Sequence, residues 1–147
     1  MNILYIPATF PNPTEGSNLY TDLAEQLKQN GHKVIVLVAE EKKRNSETKF
    51  YDERGIKVLR VKSGNLYNVN VIEKAISFIT LQSTLKRAIK LYLSNEKFDL
   101  ILFMAPPVTM CSVVKYAMKK FNFVCLFSSK CHLTRIAYYQ LDIGYFR

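Results

Sequence analysis

The sequence contains no tryptophan, and only five glycines, five prolines and three cysteines in 147 residues. Each scarcity removes an option. The chain has neither Gly-x-Gly-x-x-Gly nor a phosphate loop ending in Gly-Lys-Ser/Thr, so the two best-defined nucleotide-binding turns are absent and no cofactor is expected. No stretch approaches the ~20 uninterrupted apolar residues that cross a bilayer. The opening "MNILYIP" lacks a basic n-region and runs directly into a strand pattern, so no signal peptide is expected. Cys111, Cys125 and Cys131 have no metal-ligand spacing. Their odd number suits reduced thiols in a cytoplasmic protein, with Cys111 and Cys125 read as small core residues, and no metal site is expected.

What is present suits one folded domain over residues 1–147, with 48% hydrophobic and 22% charged residues. Lys and Arg total 21 against 12 Asp and Glu, a formal charge of +9. That excess favours phosphates, nucleic acid or an acidic lipid surface, or serves solubility alone. A nucleic-acid binder needs aromatics interleaved with clustered basic residues. Here nine Tyr and nine Phe are spread through apolar positions, so nucleic acid is not an expected partner.

Strand patterns fall at about 2–7, 33–39, 56–61, 98–104 and 123–127. Most are apolar throughout, as strands buried on both faces are; 56–61 alternates, as a strand nearer a sheet edge does. Helical patterns lie between them. The first starts at Ser17, read as its N-cap, carries Leu19, Tyr20, Leu23, Ala24 and Leu27 on one face and stops at Asn30-Gly31. The others span about 71–93 and 108–120. The charged stretch 40–55 reads as a solvated loop, and 128–147 has no clean period. This alternation predicts an α/β fold, a Rossmann-like doubly wound parallel sheet with the strands in the order 3-2-1-4-5. Its switch point, between the first and fourth strands, is flanked by the loop 8–16 and the loop around Pro106-Pro107.

The first of these loops is longer than a connector needs. Glu15 offers a carboxylate to sugar hydroxyls, Gly16 permits close approach to the backbone, and N–H groups near Ser17 and Asn18 favour an anion or polar oxygen. The plainer reading makes Gly16 a turn residue and Ser17 a cap. Pro106 and Pro107 either border the same crevice or merely stop a strand and start a helix. His32 sits in a helix-to-strand turn on the far side. His132, beside Cys131, has no orienting third group, so no catalytic residue is assigned.

The opening 40 residues, with Phe10-Pro11, Gly16 and Gly31-His32-Lys33-Val34, resemble the start of bacterial family 4 glycosyltransferases of the GT-B fold. "RGIKVLRV" (54–61) and "FDLILFMAPPVTM" (98–110) are similar to the family's next strand and its strand-and-proline turn. The resemblance covers roughly residues 1–122. It implies a two-domain enzyme that moves a sugar from a nucleotide-sugar to an acceptor. This chain resembles the acceptor-binding half alone, with the nucleotide-sugar half expected on a separate chain or lost by truncation. The implied substrate-binding residues are Glu15, Gly16, Ser17, Asn18, Pro106 and Pro107. The implied partners are a lipid-linked or sugar acceptor and an anionic membrane at the cytoplasmic face. The basic helix 71–93 either packs as a crossover with a solvated lysine face or rests on lipid. After the fifth strand "LFSSKCHLTRIAYYQLDIG" departs from the family pattern: Lys130-Cys131 stand where an acidic residue is expected. The competing reading is a non-catalytic Rossmann-like binding or interaction module.

Overall fold

The computed structural model describes residues 1–41, 47–64, 70–105, 111–121, 124–129 and 137–139. Pro106, Pro107, Lys130, Cys131 and His132, and the side chains of Cys111 and Cys125, lie outside the described set.

Strand β1 (Asn2–Ile6) leads through a 3-10 turn (Pro13–Glu15) into α1 (Leu19–Gln29). Then come β2 (Lys33–Glu41), β3 (Lys49–Glu53), β4 (Ile56–Ser63), α2 (Val71–Tyr92), β5 (Leu100–Ala105), α3 (Cys111–Phe121), β6 (Val124–Ser129) and β7 (Ala137–Tyr139). All seven strands form one sheet in the order β3-β4-β2-β1-β5-β6-β7. The five inner strands are parallel, in the order expected from the sequence, with β1 at the centre. The fold is therefore α/β and Rossmann-like.

Two expectations need correction. The charged stretch 40–55 is not simply a solvated loop: β2 continues to Glu41, and β3 pairs antiparallel with β4. Flanking charge masks "KFYDE" as a strand, and β4, expected nearer a sheet edge, is second from it beside β3. In the unpatterned tail, β7 pairs antiparallel with β6. The sheet is thus parallel inside with an antiparallel strand at each edge.

Strand alternation divides the interior in two. Leu4, Ile6, Ile35, Leu37, Leu59 and Val61 face α2 and α3, where they meet Leu85, Ile89, Val113 and Ala117. Tyr5, Val34, Val36, Val38, Ile56 and Val58 face α1 and meet Tyr20, Ala24 and Phe10. On α1, Leu23 and Leu27 pack partly against this second cluster, but Leu19, expected on the apolar face, is 67% exposed. The helix begins one residue later than a cap at Ser17 would place it, with Leu19 as its first residue.

At the end of the sheet away from the crevice, Asp99 accepts a hydrogen bond from the Asn2 N–H at 2.6 Å. Gly31 takes φ 80° after α1, the left-handed conformation that glycine adopts without a Cβ clash. His32 lies here too, its Nδ1 3.4 Å from the terminal amine of Met1. That is the turn position expected for it.

Candidate functional site

The crevice of a doubly wound sheet lies beyond the carboxyl ends of the strands, where successive crossovers leave in opposite directions. Here that point falls between β1 and β5: from β1 the chain crosses through α1 to β2 on one side, and through α2 it reaches β5 on the other. The loop that leaves β1 therefore borders the crevice. Its partner, the loop after β5, lies outside the described residues.

The β1–α1 loop is organised by its own polar groups. In the 3-10 turn the Glu15 N–H donates to the Asn12 carbonyl at 2.8 Å, and the Asn12 N–H donates to Glu15 Oε2 at 3.2 Å. Gly16 comes next with φ 93°, and a Cβ built there would meet nothing within 4 Å. Space is therefore available at Gly16, while its backbone angle still disfavours any L side chain.

Ser17 is not the helix cap. Asn18 is: its Oδ1 accepts from the N–H groups of Tyr20 and Thr21 at 3.0 and 3.1 Å, and its own N–H donates to Thr21 Oγ1 at 2.8 Å. Both residues are good caps, so composition could not choose between them. The residue three positions on decides, because Thr21 can close a reciprocal box with Asn18 whereas Tyr20 cannot do so with Ser17. As a result the N–H of Asn18, expected to favour a ligand, is committed within the chain, as are those of Tyr20 and Thr21. Beyond the buried Phe10, the exposed part of the loop is Pro13 to Ser17.

Two arginines from the β3–β4 hairpin hold this loop. Arg60 is buried, and continues the line of Ile56 and Val58 on the strand face toward α1. Its guanidinium binds Glu53 through two bonds, Nε to Oε1 at 2.6 Å and Nη2 to Oε2 at 2.7 Å. Nη2 also donates to the Phe10 carbonyl at 3.1 Å, and Nη1 lies 3.6 Å from Glu40 Oε2. Burial pulls the Arg60 pKa down. The hydrogen bonds and charge of Glu53, with the charges of Glu40 and Glu15, more than reverse this and leave it above the usual arginine value.

Arg54 occupies the hairpin turn with φ 55°, and Gly55 is next with φ 66°. Two successive positive φ angles mark the mirror-image turn that suits a two-residue hairpin. Arg54 Nη2 donates to the Gly16 carbonyl at 2.6 Å, and Nη1 contacts Glu25 of α1 at 3.2 Å. The loop is thus hung at both ends on main-chain carbonyls, Phe10 and Gly16.

Sequence reasoning singled out neither arginine, nor Glu40, Glu53 or Glu25. A count at period two would have found three of them, because Arg60 and Glu40 each continue an apolar strand face and Glu53 lies beside Ile56 in the hairpin. Among the described residues no group of three His, Cys, Asp or Glu side chains is placed to hold a metal.

No family model matches the chain, and no curated protein matches it. Solved structures do. The C-terminal domain of a hydrogenase from Pyrococcus furiosus, in a version spanning its residues 83–215, superposes with a TM-score of 0.58 at 15% identity. The match covers 86% of this chain and 90% of that one. A longer version of that domain, residues 78–226, gives 0.55 at 14% identity with the same coverage. At such identity the likeness is one of fold, and a fold of this kind hosts many unrelated functions.

Proposed function

We propose that this chain is the acceptor-binding half of a GT-B glycosyltransferase for cell-surface polysaccharide or lipid-linked glycan synthesis. One observation carries the reading. The opening segment of the family resemblance, residues 1–40, supplies the central strand together with the long loop that borders the switch-point crevice. The acceptor then lies against the exposed part of that loop, with Glu15 and Gly16 toward it.

The distribution of charge is in keeping with an acceptor at an anionic membrane surface. Among the described side chains of α2 and α3 stand Lys86, Arg87, Lys90, Lys115, Lys119 and Lys120, with no acidic residue. Ile79 and Leu91 of α2 are 73% and 64% exposed. No helix among the described residues is long and apolar enough to cross a membrane. Contact would therefore be peripheral, at the cytoplasmic face, and screened over a Debye length of ~8 Å at physiological ionic strength.

The second reading, a binding or interaction module without chemistry, is favoured by the N–H groups that Asn18 and Thr21 consume. The experiment that separates the two is sugar transfer from a nucleotide-sugar to a lipid-phosphate acceptor in anionic liposomes. The purified 147 residues alone should give no turnover, and addition of a donor-binding chain encoded beside them should restore it. Turnover by the single chain, or none with the second chain and no acceptor binding, overturns the proposal.

A further inference from the structure

We infer that Arg54 and Arg60 are positioning residues: the β3–β4 hairpin holds the segment 11–17, exposed from Pro13 onward, in one place at the crevice. Neither arginine is explained by its own strand. Arg54 sits at the first position of a turn where Gly, Asn or Asp is usual, and a left-handed φ is unfavourable for a residue with a long side chain. Its Nε is buried without a hydrogen-bond partner, while the two terminal nitrogens reach Gly16 and Glu25. The turn thus carries backbone strain and an unpaired donor. What it gains is a bond of 2.6 Å to the end of the crevice loop and an ion pair with Glu25 of α1.

Arg60 does the same at the other end. A buried guanidinium needs a carboxylate, and Glu53 meets that need in bidentate fashion from the same hairpin. The additional bond to the Phe10 carbonyl leaves the hairpin and fixes the loop. Between these two anchors the backbone passes Pro11 and Pro13, whose fixed φ limits the conformations open to the segment. Two anchors plus two stiff residues make a preorganised surface, and preorganisation lowers the ordering cost of binding. The hairpin therefore sets ligand affinity from a position outside the crevice. Its ligand consequence rests on the acceptor reading above; its effect on loop order does not.

Arg54→Gly tests this, because glycine suits the turn while the whole side chain, with its bonds to Gly16 and Glu25, is removed. Arg54→Asn is the second variant, since asparagine also tolerates the left-handed conformation. In both, amide exchange across β1, β2 and β4 should keep its protection. Backbone order parameters of residues 11–17 should fall from the rigid range of ~0.85 toward values below ~0.6. Binding of a short-chain polyprenyl phosphate should weaken about tenfold, the effect of one lost interaction worth about 1.4 kcal/mol. Unchanged order over 11–17, or protection lost across the whole sheet, overturns the inference. If the loop loosens but the wild-type chain binds no polyprenyl phosphate, the positioning role stands and the acceptor reading falls.

Discussion

The two faces of the sheet are held by different chemistry. Toward α2 and α3 the interior is dry: aliphatic side chains of β1, β2 and β4 meet Leu81, Leu85, Ile89 and Val113, and Phe98 stacks edge-on against Phe121 at 5.1 Å. The charged side chains described on α2 and α3 lie on the outer surface and are basic. Toward α1 the interior mixes valines with a buried arginine, two buried glutamates and the phenol of Tyr5. Both interiors are buried. Among the described residues, only the second carries hydrogen bonds that leave the sheet and end on the crevice loop.

The difference teaches why a buried ion pair stands where a leucine would pack. Desolvating a guanidinium and a carboxylate costs so much that a well-packed apolar replacement is often no less stable. Apolar contact, however, is non-directional. An aliphatic side chain at position 60 could fill the volume yet could not fix the Phe10 carbonyl. The dry face supplies stability roughly in proportion to area, and the polar face supplies a defined loop position.

The largest expected effect tests that division. Arg60→Met should cost about 3–5 kcal/mol, because it leaves Glu53 buried beside Glu40 without the guanidinium. Leu85→Ala on the dry face should cost about 2–5 kcal/mol through lost contacts and a residual cavity. Urea unfolding measures both. The two losses should differ in their effect on the crevice loop, and that difference sharpens the comparison. Arg60→Met, combined with Glu53→Gln to remove the stranded charge, should recover part of the stability while residues 11–17 stay loose. Leu85→Ala should leave those residues unchanged. A cost for Arg60→Met within ~0.5 kcal/mol, the range of ordinary surface changes, would break the comparison.

The same division explains how much of the molecule is legible in the sequence. The five parallel strands and their order are legible because most inner strands are doubly apolar runs, and the alternating β4 is equally well punctuated by turn residues. The dry face is implied by that pattern alone. β3 is not legible, because Lys49–Glu53 is an edge strand whose charges resemble those of the run before it. The site is legible only in outline. Its place is given by topology and its length by the prolines, but its anchors, Arg54 and Arg60, act through carbonyls that are far away in sequence. A carbonyl acceptor has no side-chain signature, so Phe10 and Gly16 could not announce their partners.

A smaller effect is expected at the start of α1, where the polar face meets solvent. Asn18→Ala should cost about 1 kcal/mol, since it strips the acceptor from the Tyr20 and Thr21 N–H groups. Ser17→Ala should change stability by less than ~0.5 kcal/mol, as an exposed residue with no capping role. Thermal or urea unfolding of the two variants distinguishes them directly. Equal losses would return the cap to Ser17 and move the helix start back by one residue.

The smallest effect concerns Tyr5, the one residue of β1 that brings a titratable group into the α1 face. Its side chain is fully buried and its hydroxyl has no hydrogen-bond partner among the described residues. Burial, and to a lesser degree the neighbouring Tyr20, pushes its pKa well above the ordinary value of 10.0. A buried hydroxyl without a partner costs stability, so Tyr5→Phe should be neutral or stabilising by up to about 1 kcal/mol near neutral pH. The pH dependence has a definite sign. Below the unfolded value both states keep the phenolic proton and the two forms differ little. Above it the unfolded chain releases the proton while the folded chain retains it, so the unfolded state binds fewer protons and stability falls as pH rises. Urea midpoints of wild type and Tyr5→Phe, compared at about pH 8 and about pH 11, should therefore diverge, with the wild type losing more. On the dry face Leu4 and Ile6 flank the same residue and have nothing to titrate, so a Leu4→Met control should track the wild type over this range. Equal alkaline losses in wild type and Tyr5→Phe would mean that the phenol ionises as freely in the folded chain as in the unfolded one. The α1 face would then be wetter around β1 than its packing implies.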